Sequence, residues 1–155
     1  LVSIWNGVCD LMRYFMKLSL ILVCWGAIGS GESAAESRDV VVVANVENKN
    51  IRLDKREVRN LFMGNTIDVV LEPVSLPPET LTRAVFNTKI IGLTESRIQS
   101  YWSQMRFSGR SKPPKEMQDV ENLLAYISTH KGTVAFFPAD VPIPDHLTVV
   151  YKTRQ

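Results

Sequence analysis

Past residue 35 the sequence contains no cysteine, since Cys9 and Cys24 both fall in its first segment. A folded part without thiols has no disulfide framework, no thiolate nucleophile and no cysteine metal site. Histidine is nearly as scarce: only His130 and His146 are present, and neither has a second His or Cys at ligand spacing, so no metal site is expected. Excess charge is missing as well. The formal net charge is +2, and setting residues 1–35 aside leaves it unchanged, because Arg13 and Lys17 leave together with Asp10 and Glu32. A nucleic-acid partner would demand a stronger basic bias, so none is expected. Acid–base catalysis needs positioned carboxylates or imidazoles. Asp140 and Asp145 lie instead in a Pro-rich loop and His130 at the end of an expected helix. The sequence therefore reads as a non-catalytic protein without a cofactor, and it carries no internal repeat or low-complexity tract.

A membrane-spanning run is also missing. The longest apolar stretch near the N-terminus, residues 18–28, holds about eleven residues where a span needs about twenty. Its setting explains it otherwise. Arg13 and Lys17 precede it and the small residues Ser33, Ala34 and Ala35 follow, the charged, apolar, small-residue order of a secretory signal. Residues 1–35 are expected to be a signal peptide, with 1–11 preceding the first plausible initiator, Met12; an uncleaved anchor is the alternative. A lipoprotein is disfavoured because Cys24 follows Val23 rather than a small residue. Export to the periplasm follows, with the membrane met only through the signal. Residues 36–155 form one domain, large enough to bury roughly two-thirds of its unfolded surface without a staple.

What is present is an alternation of β-branched runs and amphipathic stretches. Val40–Ala44 (VVVVA) is a continuous apolar run, suited to a strand covered on both faces. Asp54 and Glu57 have the spacing of a capping box, and Val58, Leu61 and Phe62 supply a buried stripe up to Gly64, which predicts a helix of about ten residues. Lys55, Arg56 and Arg59 on its outer face read as a solvated surface or as a patch for an acidic partner. Residues 68–74 (DVVLEPV) are expected to be a strand. Next comes a helix opened by Pro77-Pro78, with Leu81, Ala84, Val85 and Thr88 on its inner face. A helix capped by Thr94 and ending near Phe107 places Ile98, Tyr101, Trp102 and Met105 inward. After Pro113-Pro114 a further helix reaches Thr129 with Met117, Val120, Leu124 and Ile127 inward, and residues 133–137 (TVAFF) and 147–151 (LTVVY) close the chain as strands. Alternating elements of this kind imply an α/β fold with a mostly parallel sheet. The N–H groups at the start of the Pro77-Pro78 helix form an anion site in principle, with Ser75, Thr80, Thr82 and Arg83 as the side chains in reach; Ser75 as a helix cap and the threonines as surface residues are the alternative.

The order of these motifs resembles the phosphate-type periplasmic substrate-binding proteins of ABC transporters, in a short single-lobe form. The resemblance covers roughly residues 38–140 and is carried by Leu61-Phe62-Met63-Gly64, by Thr82-Arg83 with Phe86, by Trp102 with Phe107-Ser108-Gly109 and Pro113-Pro114, and by residues 131–136 (KGTVAF). It implies one lobe of a type II periplasmic-binding-protein fold and a phosphate-like small anion as ligand. In full-length relatives a Gly-Ser-Gly-Thr turn cradles the phosphate, aided by an upstream arginine. Here Glu79-Thr80-Leu81-Thr82 stands at that turn and Leu76 at the arginine. The hydroxyls remain, the glycines that allow close backbone approach do not, and Glu79 opposes an oxyanion. A single lobe also leaves half of such a site in water, so a homodimer or a protein partner would have to cover it. Two functions stay open: a periplasmic solute-binding-like protein recognising a small anion, and an interaction or adaptor module that has kept the scaffold and lost the ligand.

Overall fold

The computed structural model describes residues 38–153, so the expected signal segment lies outside the described residues. Five strands form one sheet: β1 (Val40–Ala44), β2 (Glu72–Ser75), β3 (Lys115–Glu116), β4 (Thr133–Pro138) and β5 (Thr148–Lys152), in the order β3-β2-β4-β1-β5. Four α-helices accompany it among the described residues: α1 (Lys55–Phe62), α2 (Leu81–Phe86), α3 (Glu95–Phe107) and α4 (Val120–Thr129). The fold is α/β, as the alternation implies.

The sheet is mixed rather than mostly parallel. β2 runs parallel to β3 and β4, whereas β1 is antiparallel to both β4 and β5, with Val42 opposite Phe136 on one side and Tyr151 on the other. β1 thus runs against every other strand of the sheet. A continuous apolar run such as VVVVA requires cover on both faces, which it has, but that requirement is silent on direction. All of β1 and all of β4 are buried. Between these strands and the helices lies an aromatic cluster in which Phe86 stacks on Phe136 with centroids 4.0 Å apart and Phe62 meets the edge of Phe86 at 4.8 Å. Such pairs contribute about 0.5–1.5 kcal/mol beyond their area burial.

Several local expectations hold. The Asp54 carboxylate accepts from the Glu57 N–H at 2.7 Å and Glu57 accepts from the Asp54 N–H at 2.7 Å, closing the capping box; Val58, Leu61 and Phe62 are buried. α3 starts after Thr94, which occupies the cap position, although its hydroxyl lies against Ser96 Oγ instead of a backbone N–H. Ile98 and Trp102 are buried as expected, with Tyr101 and Met105 half-buried.

Others are corrected. The strand expected over 68–74 is confined to Glu72–Ser75, because its partner β4 begins only at Thr133, which pairs with Glu72; upstream residues have no ladder to join, and Val70 is 96% exposed. Pro77 and Pro78 form a turn ahead of α2 rather than its first turn. Thr80 caps α2, its hydroxyl accepting from the Arg83 N–H and donating to Pro77 O at 2.8 Å. The inner face of α2 is also rotated from the expected one. Thr82, Arg83 and Phe86 point inward, while Leu81 is 46% exposed and Ala84 and Thr88 are exposed. α2 then widens into a π-helical turn over Asn87–Ile91, which ends at Gly92 in the left-handed region, φ 71°, and keeps Ile90 and Ile91 in the core. Finally, the last helix is shorter than expected. It begins after Asp119, whose carboxylate accepts from the Asn122 N–H at 2.8 Å, and Lys115–Glu116 pair with β2 instead; Leu123 and Ile127 are buried while Met117, Val120 and Leu124 are half-buried.

Candidate functional site

A cleft of about 480 Å³ opens between the C-terminal end of α1, the β2–α2 connection, α2 with its π turn, α3 and the segment from Pro113 to Glu116. Phe62, Phe86, Ile91, Ile98, Trp102 and Phe136 give it an apolar floor and wall. Ser75, Arg83, Asn87, Gln99, Arg106 and Glu116 supply the polar rim.

Arg83 is the centre of this rim. It projects inward from the third residue of α2 and is 6% exposed. A cation taken out of water is tolerable only when paired and hydrogen-bonded, and Arg83 is both, through all three of its nitrogens. Its Nε donates to Glu95 Oε2 at 3.0 Å and its Nη2 to Glu95 Oε1 at 2.8 Å, a two-pronged pairing that suits the planar guanidinium. Its Nη1 donates to Glu116 Oε1 at 2.6 Å, to Leu76 O at 2.7 Å and to Ser75 Oγ at 3.2 Å. One side chain therefore binds α2 to the first turn of α3, to β3 and to the end of β2.

The two carboxylates are held unequally. Glu95 also accepts from Asn87 Nδ2 and Gln99 Nε2, each at 2.7 Å. Burial pushes its carboxyl up more than any other single influence, yet the hydrogen bonds from Gln99, Arg83 and Asn87 and the Arg83 charge together hold it below the usual glutamate value. The Glu95 side chain is 29% exposed and that of Glu116 is 46% exposed, with Arg83 as the ion-pair partner of both. Glu116 stands on a two-residue strand at the sheet edge. Its pairing is correspondingly more screened by solvent.

Of the residues expected at an anion site, Ser75 and Arg83 share the cleft. Thr80 is spent on capping α2, and Thr82 is buried; neither lines the cleft. α2 itself has only six residues, so its first turn is a short cap rather than a strong dipole end. Sequence reasoning missed Glu95, Glu116, Asn87 and Gln99. For Glu95 a signal existed, as the first residue after the Thr94 cap; for Glu116, in a polar stretch without periodicity, there was none. Elsewhere, His130 stacks on Tyr126 with centroids 3.9 Å apart and contacts Thr129 Oγ1, while His146 offers its carbonyl to Lys49. Among the described residues no three His, Cys, Asp or Glu side chains come together as a metal-ligand group. No helix among them is long and apolar enough to cross a membrane.

Neither a protein-family model nor a curated protein sequence matches this chain.

Proposed function

We propose that the protein is an exported, non-catalytic binding protein of the single-lobe, phosphate-type substrate-binding kind, acting in the periplasm, and that it meets a small anion at Arg83 in the cleft. The observation that carries this reading is a buried guanidinium on the wall of an open cleft of about 480 Å³, within the range of ligand sites at roughly 300–1,000 Å³. Ser75 stands beside it with a hydroxyl, and Arg106 adds a second cation on the same rim. The ligand position lies at the Arg83 side chain in the cleft and not at the N–H groups that open α2, whose cap is already filled by Thr80. Such a site is open on one side, and a second copy or another protein covering it would raise affinity by excluding water.

A second reading has its own support. Each nitrogen of Arg83 is already engaged by Glu95, Glu116, Ser75 or Leu76, as it would be in a scaffold that had lost its ligand and serves as an adaptor. Calorimetry of the full chain with phosphate, sulfate and small carboxylates separates the two. Solute binding gives heat with at least one anion and a loss of at least about tenfold in affinity in Arg83→Lys, since an ammonium cannot reproduce the fork. Silence across the whole series, together with a protein partner recovered by crosslinking in the periplasm, leaves the adaptor.

A further inference from the structure

On the reading that the Arg83 cleft receives a small anion, the chemistry of that anion narrows to one class. Among the groups on Arg83, Glu116 is the one built to leave. Glu95 is gripped by both prongs of the guanidinium and by Asn87 and Gln99. Glu116 is bound to Arg83 through Nη1 alone, and its side chain is 46% exposed on the outermost strand. When this carboxylate turns outward it regains water, and Nη1, whose two hydrogens serve Glu116 Oε1, Leu76 O and Ser75 Oγ, loses one of three acceptors at the cleft that both Arg83 and Glu116 line. The position then offers an anion the contact that Glu116 makes now, beside the Ser75 hydroxyl.

Charge decides which anion. Arg83, Arg106 and Glu116 line the cleft, and Glu95, outside the lining, is paired with Arg83, which together make a balanced set. A monoanion that replaces Glu116 restores the balance. A dianion would put a second negative charge near the partly buried Glu95 carboxylate, and like charges at a shared site are disfavoured. Shape then selects the tail. Behind Arg83 the wall is Phe86, Ile91, Ile98 and Trp102, which rewards an apolar group at roughly 25 cal/mol per Å² removed from water. We propose that Glu116 is a displaceable internal carboxylate, and that the cleft binds a small monocarboxylate carrying a short apolar tail by exchange with it.

The test is calorimetry on the full chain with acetate, butyrate and inorganic phosphate, using wild type, Glu116→Gln and Glu116→Asp. Glu116→Gln removes the competing charge, and Glu116→Asp keeps the charge but shortens its reach. Butyrate is expected to bind Glu116→Gln at least about tenfold more tightly than wild type, a factor corresponding to about 1.4 kcal/mol. Glu116→Asp gains less in the same direction, acetate binds more weakly than butyrate, and phosphate gains nothing. Equal butyrate affinity in wild type and both variants overturns the exchange. Phosphate binding that is as tight in wild type as in the variants, with no carboxylate bound, overturns the monocarboxylate while leaving the small-anion reading in place. No heat from any anion in any of the three proteins overturns both.

Discussion

Gly64 ends α1 with φ 74°, a conformation open to glycine and strained for any residue with a Cβ. A Cβ built there would lie 2.9 Å from Cη2 of Trp102 and 3.3 Å from the Ser111 Cβ. Trp102 is buried and lines the cleft, so its ring cannot simply retreat. Gly64→Ala is therefore expected to destabilise the fold by about 2 kcal/mol, combining left-handed strain with the contact. A thermal melt lowered by several degrees checks it, and a melt within a degree of wild type would show that the indole yields freely. The same substitution should weaken any ligand seated against Trp102. At this scale the sequence was informative about Gly64, Trp102 and Arg83, all picked out by motif, and poor about what holds Arg83. Its carboxylate partners come from positions twelve and thirty-three residues away, beyond the reach of local pattern.

At the scale of elements, legibility followed how local the determining interactions are. α1 was readable because Asp54 and Glu57 satisfy each other within one turn and the apolar stripe is unbroken. Asp54→Ala is expected to cost about 1 kcal/mol by leaving first-turn N–H groups without their acceptor. Chemical denaturation with an unchanged slope and a lower midpoint would register this, and an unchanged midpoint would mean that packing of Val58, Leu61 and Phe62 alone fixes the helix. α2 was misread for the opposite reason. Its apolar positions Leu81, Ala84 and Val85 suggested one face, but the face that turns inward is set by Arg83 meeting Glu95 and by Phe86 stacking on Phe136, both long-range contacts. The π turn that follows has no sequence signature at all; it brings Asn87 to Glu95 and Ile91 to the cleft wall. β3, two charged residues at an edge, likewise gives no apolar signal, yet it carries one of the two carboxylates that pair with Arg83.

For the whole molecule, composition and alternation were enough to establish an α/β layer, but not the direction of β1, which follows from pairing partners ninety or more residues downstream. The Arg83 cluster acts at this same scale, because it joins α2, α3, β2 and β3 at one point. Its acid sensitivity has a definite sign. In the unfolded chain Glu95 takes up its proton near the ordinary glutamate value of about 4.3. In the folded protein it resists protonation to lower pH: burial opposes its charge, but Gln99, Arg83 and Asn87 together more than offset that. Between those two values the unfolded state binds more protons, so the stabilisation from Glu95 is complete above the ordinary value and disappears as pH falls through the depressed one. Glu95→Gln cannot pair with the Arg83 charge and leaves a buried cation with only its more exposed partner. The variant should therefore be less stable than wild type at pH 7 and should lose less stability between pH 7 and acid conditions, so that the two converge below the glutamate range. Unfolding free energies measured by denaturant across that interval test this, and parallel curves with a constant offset would mean that Glu95 holds the elements together by shape alone.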